Sequence, residues 1–324
     1  MVPATWGQVT RGCEMHCTQR LFLRCSVMLS AASLLSVGLL PGAADAVTTT
    51  ADASSGVCGL DLGSVTAGGD HRSQRITAGS PPTRTNNRIV VPKLYDEPVR
   101  LSTSMFASLL SGDPLIEGHV IIGPTLARSD YAFSSDGTLD TASIRLTPIA
   151  GGHEDTVAFE ESRYREGTAP RTTSYGLRSD GILVRQNNVI GNQWETTGLA
   201  PGFGLVKAMV LISKTRTYDT FLANTRGGTL LTIHIPTTSP MKPVAKRVRA
   251  STWQGFEFLI AQKCGNQGTL LLGIDKDTQS AFLYAVGHAN GTTTVIHGLG
   301  RVPGAFNDPT YFRFTPLVDP LVGE

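Results

Sequence analysis

Residues Ser174–Val189 read SYGLRSDGILVRQNNV. Apolar residues alternate up to Leu177, Ser179-Asp180-Gly181 interrupts, and Ile182 and Leu183 open a second extended run. Asp-Gly between two alternating runs is a strong hairpin signal, because a tight type I′ turn needs positive φ at both central residues. The stretch predicts two antiparallel strands, the middle hairpin of one sheet.

Similar phrases recur on both sides of this stretch. Tyr131–Ile144 predicts a hairpin turning at Asp136-Gly137, Phe221–Ile235 one turning at Gly227-Gly228, and Phe282–Ile296 one turning at Asn290-Gly291. A second landmark lies between them. Pro201-Gly202-Phe203, Trp253-Gln254-Gly255-Phe256 and Pro303-Gly304-Ala305-Phe306 each lead into an apolar run, and Phe203, Phe256 and Phe306 stand about fifty residues apart. Two interleaved landmarks at that period are the signature of a repeated four-stranded unit, hence an all-β propeller. A β-sandwich with evenly spaced strands is the alternative. The longer gap before Asn290-Gly291 predicts an inserted ribbon at Gly265–Lys276. Thr310–Phe314 (TYFRF) is placed to pair with an early strand and close the ring.

Trp253–Val286 (WQGFEFLIAQKCGNQGTLLLGIDKDTQSAFLYAV) resembles the blade phrase of the tachylectin-2-type β-propellers. The likeness rests on Trp253, Gly255 and Phe256, then Gly268, then Leu283-Tyr284-Ala285-Val286, with YAFSSDGTLD and YGLRSDGILVR as looser copies. The resemblance spans about Tyr131–Phe314. It implies about five four-stranded blades, no catalytic activity, no metal, and binding of N-acetylated amino sugars between blades. The irregular spacing and the scarcity of Trp depart from the family pattern.

The chain has 324 residues. Arg20 and Arg24 precede the apolar run Ser26–Leu40, and Ala44-Asp45-Ala46 fits a small-residue cleavage site, so residues 1–46 read as a secretory signal peptide, with a buried N-terminal helix or a membrane anchor as the alternatives. Residues 47–87, rich in Gly, Ser, Thr and Pro, read as a flexible N-terminal arm, leaving 88–324 as a single propeller domain. Within it RIVVPKL (Arg88–Leu94) suits a first strand, confined to an edge by Pro92. Charged residues make up 17% and the net charge is +2, which gives no general pull on nucleic acid or on an anionic membrane. The expectation is a secreted, monomeric protein, off the membrane once the leader is removed. Cys58 and Cys264 are the two cysteines beyond the leader, an even pair that suits a disulfide in an oxidising compartment; two buried thiols are the alternative.

Neutral-sugar binding needs an aromatic face flanked by amides and carboxylates. Trp194 with Asn192 and Glu195 supplies that vocabulary, and Trp253 with Gln254 is a second candidate. Packing of each Trp between blades is the competing use. No cofactor fingerprint, nucleophile elbow or metal-ligand spacing occurs, and Gly151–Asp155 and Asp275–Gln279 read as solvated loops. The function expected is lectin-like carbohydrate binding. Two alternatives are a propeller hydrolase or lyase, with acids such as Asp219, Glu154 or Asp155 around a central channel, and a protein-interaction module.

Overall fold

A computed structural model describes residues 57–324 apart from 111–112 and 191–192. Strands β1 (Gly59–Val65), β2 (His71–Thr77) and β3 (Thr83–Val91) come first. Then follow β4 (Val99–Ser102), β5 (Met105–Leu110), β6 (Asp113–Ile122), β7 (Thr125–Phe133) and β8 (Leu139–Ala150). The next two groups are β9 (Thr156–Tyr164), β10 (Arg171–Arg178), β11 (Leu183–Ile190), β12 (Gln193–Ala200), and β13 (Val206–Lys214), β14 (Tyr218–Thr225), β15 (Leu230–Pro236), β16 (Val244–Arg249). The chain ends with β17 (Phe258–Cys264), β18 (Gly268–Asp275), β19 (Ser280–Val286), β20 (Ile296–Arg301) and β21 (Thr310–Pro316).

Strand order resolves these into five antiparallel blades. Blades 3, 4 and 5 are the meanders β9–β12, β13–β16 and β17–β20. Blade 2 runs β5-β6-β7-β8, with β4 also pairing to β6, so β4 and β5 form one interrupted inner strand. Blade 1 is composite. Strand β21, from the end of the chain, supplies its inner strand and pairs antiparallel with β1, Thr310 opposite Val65. The inner strands neighbour one another in a ring, β4 against β9, β9 against β13, β13 against β17, β17 against β21, and β21 against β5. This is a five-bladed β-propeller whose first blade is completed by the late strand β21, which hydrogen-bonds both β1 and β5. The disulfide Cys58–Cys264 adds a covalent tie between the lead into β1 and the end of β17, spanning 206 positions.

One hydrogen bond repeats around the ring. In each blade the turn after the second strand offers a carbonyl to a backbone N–H in the connection leaving that blade. The pairs are Tyr95 N–H to Gly69 O (3.2 Å), His153 to Pro124 (2.9 Å), Phe203 to Gly181 (3.0 Å), Trp253 to Gly228 (3.0 Å) and Phe306 to Gln279 (3.0 Å). All five donors carry aromatic rings, and Tyr95, Trp253 and Phe306 are buried. The close approach explains the turn glycines. Gly69 has φ +81°, and a Cβ there would sit 1.8 Å from the Tyr95 carbonyl oxygen.

This equivalence corrects three sequence expectations. Trp253, not Phe256, matches Phe203 and Phe306. Gly265–Lys276 is no insertion, since it supplies β18, the second strand of blade 5. The hairpins also fall in different places. Asp180-Gly181 does close the middle hairpin β10–β11, as does Gly227-Gly228 for β14–β15, but Asp136-Gly137 joins the outer pair β7–β8 and Asn290-Gly291 lies between β19 and β20. The arm expected to be flexible over 47–87 is structured from Gly59, where β1, β2 and most of β3 build blade 1. It lacks long apolar runs because β1 and β2 alternate buried apolar with small and polar residues, and β3 is the outer strand. The proposed leader lies outside the described residues.

The core consists of clusters between blades. Leu60, Leu62 and Ile76 of blade 1 pack on Leu270, Leu272 and Ile274 of blade 5, and Val65 and Phe312 pack on Met105, Val120 and Tyr131 of blade 2. The blade 2–blade 3 seam has a small apolar cluster, Ile121, Leu126 and Phe159, and is otherwise ionic.

Candidate functional site

Successive strand residues face opposite sides of a blade, so each inter-blade seam is lined by alternate residues of two sheets. Four of the five seams are bridged by bonded groups among the described residues. Between blades 2 and 3, Glu161 accepts from Arg163 (2.6 Å) and lies 2.6 Å from His119 Nδ1, while Glu117 bridges Arg163 and Arg128. Burial would raise the Glu161 carboxyl, but Arg163 and His119 overcome it and hold it down at about 2. Between blades 3 and 4, buried Asp219 takes two bonds from Arg171 (2.6 Å each) and one each from Tyr175 and Ser162 (2.7 Å each). The segment after β21 fills the seam between blades 4 and 5, where Gly323 N–H bonds Ile212 O and Gly323 O accepts from Ala289 N–H. The disulfide bridges blades 5 and 1.

The seam between blades 1 and 2 stays open as a cleft of about 350 Å³. Its apolar wall is built by Ile116, Tyr131 and Phe133 of blade 2, with Phe314 and Pro316 at the end of β21. Asp61, Ser73 and Arg88 of blade 1 give it a polar side. Asp61 pairs with Arg75 at 2.6 Å, whereas the exposed Arg88 guanidinium has no ion pair among the described residues. Behind the apolar wall, Tyr131 Oη lies 3.1 Å from Nδ1 of His71, which is fully buried among Tyr95, Tyr131, Phe312 and Phe314. Burial pushes the His71 imidazole down to about 3, so it is neutral and its hydrogen bond fixes the tyrosine ring. Aromatic and aliphatic floor with a few placed polar groups is the general form of a small-ligand site.

The residues nominated from sequence lie elsewhere and do not converge. Trp194, on β12, packs edge-on against His119 (5.3 Å between centroids) in the blade 2–blade 3 seam, and its buried indole N–H has no partner among the described residues. Glu195 follows it in the same strand, so it points to the other face and is exposed. Asn192 lies outside the described residues. Trp253 is 5% exposed and packs against Tyr284 (4.9 Å) and Phe256, so it has no free face for a ligand. Gln254 is exposed beside it and offers its main-chain carbonyl to Lys207. Asp219 is locked in its seam, and Glu154 and Asp155 are exposed loop residues. None of these three lines the central cavity.

That cavity, enclosed by the inner strands, measures about 60 Å³, room for a few waters. Glu160 and Arg313 line it. Burial pushes the Glu160 carboxyl up to about 8, against the pull of Arg313. Arg313 is engaged by Asp319 (2.7 Å), from the segment after β21. Among the described residues no group of three His, Cys, Asp or Glu side chains is arranged to hold a metal ion.

No protein-family model matches the chain, and no curated protein matches it. Solved structures with a similar chain course include the Aleuria aurantia lectin in complex with Fucα1-6GlcNAc (12% identity, 77% of this chain and 79% of that one, TM-score 0.40). AofleA from Arthrobotrys oligospora is similar at 10% identity over 80% and 91% of the chains, TM-score 0.40. The Bombyx mori GH32 β-fructofuranosidase BmSUC1 is similar at 13% identity over 74% and 62%, TM-score 0.41. At these scores the likenesses say nothing of what this chain binds, and the propeller assignment rests on its own strand order.

Proposed function

We propose that this protein is a secreted, non-catalytic carbohydrate-binding protein that seats its ligand in the cleft between blades 1 and 2. The observation that carries the reading is the pairing of a Phe133–Phe314–Ile116 wall with Asp61, Ser73 and Arg88 in the open seam between blades 1 and 2. A pyranose presents C–H groups on its faces and hydroxyls at its rim, so it matches an apolar wall edged by donors and acceptors. An N-acetylated amino sugar adds a methyl for the apolar wall and an amide for the polar side. The disulfide supports an exported protein, because such bonds persist in oxidising compartments.

Calorimetric titration of neutral and N-acetylated monosaccharides into wild type and Phe133→Ala tests the site. Saturable binding that Phe133→Ala weakens at least tenfold is expected. Absence of binding by every sugar, or binding indifferent to Phe133, sinks the assignment. The hydrolase alternative has Glu160 in its favour, an acid placed to hold its proton at neutral pH, but its cavity of about 60 Å³ offers a sugar ring no room.

A further inference from the structure

Resting on the carbohydrate reading, the geometry points to a narrower ligand class: we infer that the cleft between blades 1 and 2 selects a sugar bearing a carboxylate, held by Arg88. The charges in and around the cleft are unevenly used. Asp61, the acid of the lining, is neutralised by Arg75 (2.6 Å), and the lining holds no second carboxylate among the described residues. Arg88 is therefore the unspent charge. It sits on β3 opposite Ser73, so the guanidinium and a hydroxyl edge the same side of the cleft, facing the apolar wall of Phe133 and Phe314.

A guanidinium binds a planar carboxylate through two parallel N–H···O bonds, which fixes orientation as well as charge. A neutral sugar leaves that fork to solvent. A sugar acid uses it while its ring covers the aromatic wall. Arginines that face a neighbouring blade elsewhere are engaged, Arg163 and Arg171 by carboxylates and Arg185 by main-chain carbonyls of Pro236 and Thr238. Arg88 lacks that intramolecular partner, and an acidic ligand supplies it.

The test compares ligands that differ in the acid group. N-acetylglucosamine and N-acetylmuramic acid share ring and acetamido group, and only the second carries a carboxylate; glucose and glucuronic acid form a second pair, and glucose 6-sulfate separates carboxylate from any anion. Affinities are measured by calorimetry at low and at physiological salt for wild type, Arg88→Gln and Arg88→Lys, with thermal melts to show that each variant is folded. Arg88 is exposed, so folding should survive substitution. Wild type should prefer each sugar acid over its neutral partner by roughly tenfold or more, the size of one charge-assisted contact. Arg88→Gln should erase the preference while neutral-sugar binding persists, and Arg88→Lys should restore only part of it. Equal affinity for acid and neutral sugars, a preference that survives Arg88→Gln, or stronger binding of the sulfate than of the uronate overturns the inference and leaves the carbohydrate reading standing. Failure of every sugar to bind overturns both.

Discussion

Glu160 and His71 should set the pH profile of stability, and in opposite directions. Folded Glu160 titrates at about 8 against 4.5 when exposed, so between those values the folded state holds a proton that the unfolded chain has lost. Stability from this group is full below pH 4.5 and is lost as pH rises to 8. Folded His71 titrates at about 3 against 6.5, so between those values the unfolded chain holds the extra proton, and stability is lost as pH falls. From pH 4.5 to 6.5 the two cancel, and wild type should be nearly flat. Linkage gives about 1.4 kcal/mol per pH unit for each uncompensated proton. Glu160→Gln leaves His71 alone, and stability should fall by about 3 kcal/mol between pH 6.5 and 4.5. His71→Leu leaves Glu160 alone, and stability should rise with acid over that window by about 2 kcal/mol, the smaller figure allowing for water in the central cavity. His153, half-buried and lowered by burial, adds a small tilt in the same sense as His71. Urea melts at pH 4.5, 5.5, 6.5 and 8 read the slopes directly, free of each substitution's fixed cost. Parallel profiles for wild type and both variants would mean that neither group carries the pH dependence.

Other perturbations test the ring itself. Replacing Cys58 and Cys264 by Ser removes a tie spanning 206 positions, worth about 5 kcal/mol on the chain-entropy account, and should lower the melting temperature by about 10 °C; a fall under about 2 °C contradicts that account. Asp219→Asn strips Arg171 of its buried counter-charge and should cost about 3–5 kcal/mol in a denaturant melt, far more than the same change at exposed Asp155. Thr315→Val removes a buried hydroxyl that has no hydrogen-bond partner among the described residues and should stabilise by about 1 kcal/mol; a loss of stability would show that the hydroxyl is satisfied in solution.

The fold was more legible in the sequence than its register. Asp180-Gly181 marks a reversal and the reversal is there, but turn chemistry does not say which hairpin of a blade it closes. Asp136-Gly137 and Asn290-Gly291 close outer connections, while the equivalent turn of blade 5 ends in Gln279 at φ +52°, a position where glycine would have been the readable signal. The second landmark was displaced for a related reason. What repeats is a backbone N–H beneath an aromatic ring, carried by Tyr95, His153, Phe203, Trp253 and Phe306, and a pattern of five residue types over a fixed backbone bond is hard to see in letters. That same role explains why Trp253 is no ligand platform. The open cleft was the least legible feature, because Arg88 and Phe314 meet only when the last strand returns to the first blade.

The location of the cleft follows from how the ring closes. In blades 3, 4 and 5 the inner strand starts directly after the preceding blade and packs beside that blade's inner strand. At the seam between blades 1 and 2 the inner strands β21 and β5 instead hydrogen-bond in parallel, Phe314 opposite Met105 and Pro316 opposite Ala107, fusing two blades into one nine-stranded sheet. Direct pairing holds the two inner strands at ladder spacing, close to 5 Å, whereas face-to-face sheets pack near 10 Å. Two twisted sheets joined at their inner edges must diverge outward, and the wedge between them widens toward β3 and β7. The side chains at its apex, Phe312 and Met105, are buried, while Phe314 and Phe133 farther out remain half-exposed. The strand pairing that closes the ring thus also leaves the wedge that no side-chain network, disulfide or chain segment fills among the described residues.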